Sequence, residues 1–472
     1  MKWVGLTILL AAVFPLSSWL RRNPHQAPKL WMLLGFLPFA LTFAHLDMAF
    51  ISWLGWPGYL KGAEFSVMDG LALALYLSAP RARHPLPFRW SMGLYFLATV
   101  LSSAQGAEPT AALFYSWQLA RMFLVYAAVA RGCADPRVPF AILRGMAAGL
   151  FVEVAATVWQ RFGLGMVQAP GTMDHQNILG MITHFVDLPA FAVLLSGGTG
   201  RVLSAAAPAG IAIDVLTTSR GALGFSLLGY VIVFILSSLR KWTGRKRTVL
   251  VIAALGALLI IPLAISSFER RFSDQADIVS SDYDERGAFE KAARLMLSDN
   301  PMGQGANHYV AAANLGGYNN RAGVVAVTES EGTNVHNVYF LVAAETGYFG
   351  LITFVLMLLR PLTVAFLCGW NNPGDRRGDL LIGLGVALLT IYIHGFFEWI
   401  FVMLETQYMF AMDLGMVAGL ATQLSYWSRT AANVNPLGVH KLSIMPSARQ
   451  RDRTNAQNLG GRLSENRQDR RK

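Results

Sequence analysis

The chain has 472 residues, of which 54% are hydrophobic and 14% charged, with a mean hydropathy of +0.41. Soluble domains carry about 25% charged residues, so this composition excludes a soluble enzyme and points to a polytopic helical membrane protein. The formal net charge is +11, but +7 of it sits in residues 426–472, which argues against a nucleic-acid partner.

Apolar runs of about 17–22 residues can each cross a bilayer core. In chain order the expected spans are 3–20, 30–53, 65–79, 90–104, 112–130, 140–159 and 178–196, then 203–218, 222–239, 248–266, 336–359, 380–397 and 400–425. The expected fold is therefore an all-α polytopic integral membrane protein with about 12–13 transmembrane helices. Residues 1–425 form the bundle, and 426–472 form a basic, disordered tail. The first span reads as an anchored helix and not a cleaved signal, because it lacks a small-x-small site and Arg21–Arg22 follow it.

Short cytoplasmic loops are rich in Lys and Arg. Arg21, Arg22 and Lys29 follow the first span, Arg81, Arg83 and Arg89 the third, and Arg131 and Arg137 the fifth. Arg240, Lys241, Arg245, Lys246 and Arg247 follow the ninth, and Arg360, Arg376 and Arg377 the eleventh. In strict alternation these loops and the tail share the inner side, and the N-terminus lies outside. Cys133 and Cys368 fall at inner ends of spans and suggest neither a disulfide nor a metal site.

Residues 267–335 form the one long segment between spans, with six basic residues against ten acids. Its sign is opposite to that of the inside loops, and loops of this length are functional or disordered. Arg286–Ser298 has Phe289, Ala292, Ala293 and Met296 at helical spacing, so it reads as an amphipathic helix. The Asn300-Pro301-Met302-Gly303-Gln304-Gly305 turn cluster ends it, and Gly316–Val327 reads as a mobile cap.

The loop closes on Asn334-Val335-His336-Asn337-Val338-Tyr339, at the outer mouth of a span. A neutral imidazole there can serve as a general base; equally, it can cap the helix. Arg220, in Thr217-Thr218-Ser219-Arg220-Gly221, either snorkels to lipid phosphates or binds an anionic substrate. Arg286 either pairs locally with Asp284 and Glu285 or joins such a site. Two guanidiniums near one histidine suit a diphosphate, since planar forks match phosphate oxygens. His175 and Asn177, in the stretch Gly171–Asn177, stand at the same face. Glu153, Asp187 and Asp214 are acids inside apolar spans, where an unpaired charge is costly. His394, Glu398 and Glu405 share one face if that region stays helical, as partners of a buried arginine or as a polar seam.

The ordered set of Ser219-Arg220-Gly221, Arg286, Asn300-Pro301-Met302-Gly303-Gln304-Gly305, His336-Asn337-Val338-Tyr339-Phe340-Leu341 and Glu345-Thr346-Gly347 resembles the O-antigen ligase/O-antigen polymerase family. The resemblance covers about residues 170–360. It implies a GT-C-like bundle of the bacterial inner membrane, with a large periplasmic loop and a cytoplasmic tail. It implies transfer of a glycan from an undecaprenyl-diphosphate-linked donor to an acceptor hydroxyl with inversion, without metal, nucleotide sugar or other cofactor. The acceptor is a second lipid-linked glycan for a polymerase or lipid A core for a ligase, and the polar 170s loop inclines the reading toward polymerase. By the same resemblance Arg220 and Arg286 hold the diphosphate and His336 acts on the acceptor hydroxyl. Asn337, Tyr339, His175, Asn177 and Glu345 join as substrate-binding residues. The rival class is a lipid-linked glycan flippase or transporter, which tends to show an internal repeat and midplane polar groups; neither is visible here.

Overall fold

The computed structural model describes residues 2–80, 85–197, 200–276, 285–325 and 328–427. Residues 428–472 of the expected tail, residues 277–284 and 326–327 of the expected loop, and Arg81 and Arg83 lie outside the described residues. Residues 1–424 form one compact unit.

The chain begins with α1 (Lys2–Arg22) and α2 (Ala27–Phe36), then a hairpin of β1 (Asp47–Ser52) and β2 (Gly62–Ser66). Helices α3 (Val67–Ser78), α4 (Arg89–Ser102), α5 (Pro109–Gly132) and α6 (Val138–Val158) follow, the last continuing as a π-turn to Gly163. Next come α7 (Gln176–Ser196), α8 (Arg201–Thr217), α9 (Arg220–Arg240) and α10 (Gly244–Ala276). The loop region holds α11 (Glu285–Asp299), α12 (Tyr309–Leu315), α13 (Tyr318–Ala322) and α14 (Thr328–Glu331). The chain closes with α15 (Val338–Trp370), α16 (Arg376–His394) and α17 (Leu404–Gln423).

The protein is thus an all-α polytopic membrane protein with almost no sheet. Among the described residues α1, α5, α6 with its π-turn, α7, α9, α15 and α16 are long and apolar enough to cross a membrane. The other expected spans also fall on helices, with one exception. The run 30–53 is not a single helix. Pro38 sits in a 3-10 turn, His45 adopts positive φ, and residues 47–52 pair as a strand with 62–66. An apolar run alone does not separate a long helix from a short helix followed by a strand. Aromatic and β-branched Phe50 and Ile51, followed by the Gly55-Trp56-Pro57-Gly58 turn, favour the strand.

Helix α9 shows what solvates the outside of the bundle. Leu227, Val231, Ile235 and Leu239 form an exposed stripe four residues apart, whereas Ala222, Ser226, Gly229 and Ser237 point inward. This pattern, apolar out and small or polar in, is the packing logic of helices surrounded by lipid. Helix α7 is buried along almost its whole length, against α8, α9 and α16.

The expected loop helix is α11, with Phe289, Ala292, Ala293 and Met296 all buried. The expected mobile cap instead carries α13, whose Asn319 and Ala322 are buried. The two glycine-containing motifs then meet. α15 breaks at Gly347 (φ 69, ψ −171), and the turn 300–305 docks on that break. Gln304 and Gly305 donate N–H bonds to the Ala344 and Glu345 carbonyls (both 2.8 Å), and the Tyr348 N–H bonds Pro301 O (3.1 Å). A Cβ on Gly347 would overlap Pro301 O, and one on Gly303 would overlap the Glu345 carbonyl. Both glycines have positive φ, so conformation and space both demand glycine.

His308 closes the same region. Its Nε2 accepts the Glu108 N–H (3.2 Å), which leaves Nδ1 to donate to Ala306 O (2.8 Å). Burial holds this imidazole below the usual range, against the opposing pull of Ala306 O and the Glu108 charge.

Two outcomes follow for purified protein in detergent. Gly347→Ala should lower unfolding stability by about 1–3 kcal/mol, read by thermal melting, because it strains the backbone and lifts the docked turn. His308 is neutral when folded and more readily protonated when unfolded, so its stabilising contribution is complete above pH ~6.5 and is lost as pH falls below that value. Melting temperature should therefore fall more between pH 7.5 and 5.5 in wild type than in His308→Gln, about the ordinary imidazole pKa.

Candidate functional site

Asn337 caps α15, its Oδ1 accepting the Tyr339 and Phe340 N–H groups (3.0 and 3.2 Å). His336 therefore stands one residue outside the helix, where its ring is partly exposed. The mouth of α15 is pinned to the end of α16 through three contacts. The Val338 N–H bonds Gly395 O (2.8 Å), the Tyr339 hydroxyl donates to Tyr392 O (2.7 Å), and the Tyr339 ring lies 4.3 Å from that of Phe396. These contacts bring the segment after α16 over His336.

That segment delivers Glu398, which is buried. One carboxylate oxygen lies 3.3 Å from His336 Nδ1. The other accepts from Asn177 Nδ2 (2.8 Å) and lies 3.5 Å from the Arg286 guanidinium. Three distant stretches of sequence therefore converge on one carboxylate: the start of α7, the first turn of α11 and the mouth of α15. Phe289, one turn beyond Arg286, places its ring 6.4 Å from that of His336. With His336 Nδ1–H donating to Glu398, Nε2 keeps its lone pair, which is the tautomer a base needs.

The other expected residues divide. Arg220 is the first residue of α9 and is exposed. Its neighbour Gly221 packs against His394, since a Cβ there would lie 3.3 Å from His394 Nε2. His175 caps α7, with Nδ1 accepting the Asn177 N–H (3.1 Å). Glu345 is buried on α15, where the turn 300–305 docks, and has partners of its own. Its carboxylate accepts from the Tyr59 hydroxyl (2.9 Å) and from the Tyr309 N–H at the start of α12 (3.0 Å).

Glu398 is the residue that sequence reasoning undervalued. A continuous helix would set it on one face with His394 and Glu405, but α16 ends at His394 and Gly395–Phe397 turn the chain. His394 packs instead beside Phe225 and His184, and Glu405 accepts from Thr42 (2.6 Å). The available signal was the position of Glu398 at the end of an apolar run, where a buried acid needs a named partner.

The described residues define a membrane-embedded helical protein with a histidine, an arginine and a carboxylate gathered at the mouths of its helices. Residues 204–355, about a third of the chain, match the family described as O-antigen ligase. It contains Arg220, Arg286, His336, Asn337, Tyr339 and Glu345, while His175, Asn177 and Glu398 lie outside it. No curated protein matches the chain at a significant level. The match supports an enzyme of the O-antigen ligase/polymerase kind, whose substrates are a lipid-linked glycan and an acceptor, and with the apolar helices it fits a bacterial membrane protein.

Glu398→Ala should loosen the start of α11 and the stretch before α15 while leaving the helices of the bundle intact. Hydrogen exchange should rise at residues 285–290 and 333–337, and unchanged exchange there would show that Glu398 does not hold the cluster.

Proposed function

We propose that the chain is a metal-independent inverting glycosyltransferase of the bacterial inner membrane, acting at the periplasmic face on an undecaprenyl-diphosphate-linked glycan. The observation that carries this reading is the bridge from Glu398 to both His336 and Arg286. It gathers an imidazole and a guanidinium at one carboxylate, which supports a base and a cation serving one substrate. In this reading residues 1–425 are the bundle, 267–335 the periplasmic loop and 426–472 the cytoplasmic tail.

The chemistry needs a base for the acceptor hydroxyl and cations for the departing diphosphate. His336 Nε2 takes the acceptor proton as the hydroxyl oxygen forms a bond to the anomeric carbon from the face opposite the leaving group. The bond from that carbon to the phosphate oxygen breaks, and undecaprenyl diphosphate leaves with the electron pair. Arg286 and Arg220 balance its charge. Glu398 orients the imidazole through Nδ1 and stabilises the imidazolium that forms, as carboxylates do in other His-dependent acyl and group transfers. Asn337 and Tyr339 position His336 through the cap and the tie to α16, Asn177 positions Glu398, and Glu345 holds the loop. His175 shapes the start of α7. The acceptor is a second lipid-linked glycan, which makes a surface-polysaccharide polymerase, or lipid A core, which makes a ligase.

The test supplies purified protein with undecaprenyl-diphosphate oligosaccharide, with and without lipid A core. Wild type should form a new glycosidic linkage. His336→Ala should lose about 10²–10⁴ of the rate, the range for general-base removal. Arg286→Ala and Arg220→Ala should each lose about 10²–10³, the range for removing one charge stabiliser. Full transfer by His336→Ala would remove the base assignment. Movement of the lipid across vesicles without a new linkage would replace the enzyme reading with a flippase.

A further inference from the structure

A second polar cluster lies inside the bundle, behind the site just described. His184 and Asp187 are three residues apart on α7, so they share a face, and Asp214 of α8 meets them. All three side chains are fully buried. One potential ligand atom from each lies within 4.8 Å of the other two.

The hydrogen bonds of this cluster are half complete in a regular way. Asp187 Oδ2 accepts the Tyr230 hydroxyl (2.9 Å), but Oδ1 has no partner. Asp214 Oδ1 accepts the Thr183 hydroxyl (3.1 Å), but Oδ2 has no partner. His184 Nδ1 lies 3.5 Å from the same Thr183 hydroxyl, and Nε2 has no partner. Each residue is thus oriented by a neighbouring hydroxyl and keeps one donor atom uncommitted. Metal ligands are held this way, with one atom fixed by an outer partner and the other turned to the ion. Gly210 on α8 makes the room, because a Cβ there would overlap the Asp187 carboxylate.

Charge points the same way. Among the described residues, no ion pair includes Asp187 or Asp214. Two carboxylates closed off from water without a cation are costly, whereas a dication makes the group neutral. One imidazole nitrogen with two carboxylate oxygens is a donor set for zinc, manganese or iron(II), not for calcium or magnesium, which prefer oxygen throughout.

We propose that His184, Asp187 and Asp214 bind one divalent transition-metal ion in a closed structural site that braces α7 and α8. The ion also reaches the two elements behind the candidate active site. Tyr230 ties Asp187 to α9, which begins with Arg220, and His184 faces His394, the last residue of α16 before Glu398 (ring centroids 5.7 Å apart). The role is structural, because all three ligands are shut off from solvent, and it is independent of the glycosyl-transfer reading.

The test reads metal and melting, not activity. Full-length protein purified in detergent without chelator should carry about one zinc, manganese or iron per chain by elemental analysis, as structural sites hold their ions through purification. Chelation should lower its melting temperature, and zinc or manganese chloride should restore it. His184→Gln and Asp214→Asn should lose the ion and the response, whereas Asp413→Asn, which removes a buried carboxylate on α17 outside the cluster, should keep both. A metal-free wild type whose melting ignores added zinc and manganese would overturn the proposal and assign the two carboxylates a shared proton. So would variants that retain the wild-type metal content. The wild-type measurements decide the matter even if a variant fails to fold.

Discussion

The break in α15 at Gly347 is the constraint on which the rest of the outer face depends. A continuous helix would keep its backbone groups to itself. The break instead presents the carbonyls of Ala344 and Glu345 and the N–H of Tyr348 to the loop, and the turn 300–305 takes all three. The Glu345 carboxylate then caps the start of α12, and the Tyr59 hydroxyl reaches it from the stretch after the hairpin. The loop is joined to the bundle through backbone geometry, which side-chain substitution cannot easily imitate. α11 comes to the mouth of α15 as a consequence, because the docked turn begins at Asn300, one residue beyond its end.

The same structure treats buried charge in two ways. Arg121 and Asp69 pair inside the bundle at 2.8 Å, and Asp69 also takes the Tyr408 hydroxyl (2.6 Å) and caps its own helix through Ser66. Both Asp69 oxygens are hydrogen-bonded and one of them takes the Arg121 Nε–H, the kind of pairing a buried carboxylate requires. Glu398 is different. It too is buried, but its partners are an amide, a partly exposed histidine and an arginine whose side chain is 57% exposed. The first arrangement holds helices together; the second gathers solvent-accessible charge around one buried point.

Much of this was legible in the chain. Apolar runs placed nearly every helix of the bundle outside the loop, because in lipid a spanning segment must satisfy its own backbone groups. The period of Phe289, Ala292, Ala293 and Met296 placed α11. The run 30–53 failed because hydrophobicity alone carries no period that separates helix from strand in a buried segment. The site was half legible. His336 and Arg286 stood out as polar groups at the edges of apolar runs, but Asn337 and His175 are also helix caps, a use that residue type alone does not distinguish from ligand binding. Glu398 was hidden by the assumption of a continuous helix, and its partners lie 62, 112 and 221 residues away. Such a convergence depends on the packing of α7, α11, α15 and α16, and no local pattern encodes it.

The exposure of Arg286 bears on how the proposed chemistry could begin. On the arginine side the pair is open to water, where an ion pair contributes little, typically ~0–1 kcal/mol, and Glu398 keeps its Asn177 hydrogen bond without it. Arg286 can therefore leave Glu398 for a diphosphate at small cost, and the bidentate match of guanidinium to phosphate offsets that loss. The departure has a second effect. Glu398 loses a cation and keeps His336 as its only charged or chargeable partner among the ion pairs of the described residues. On the proposed reading, donor binding thus leaves Glu398 to orient His336 just when an acceptor hydroxyl must give up its proton. Without the diphosphate, Arg286 and His336 share the one carboxylate. The coupling requires that one carboxylate serve both residues, and the two oxygens of Glu398 do so.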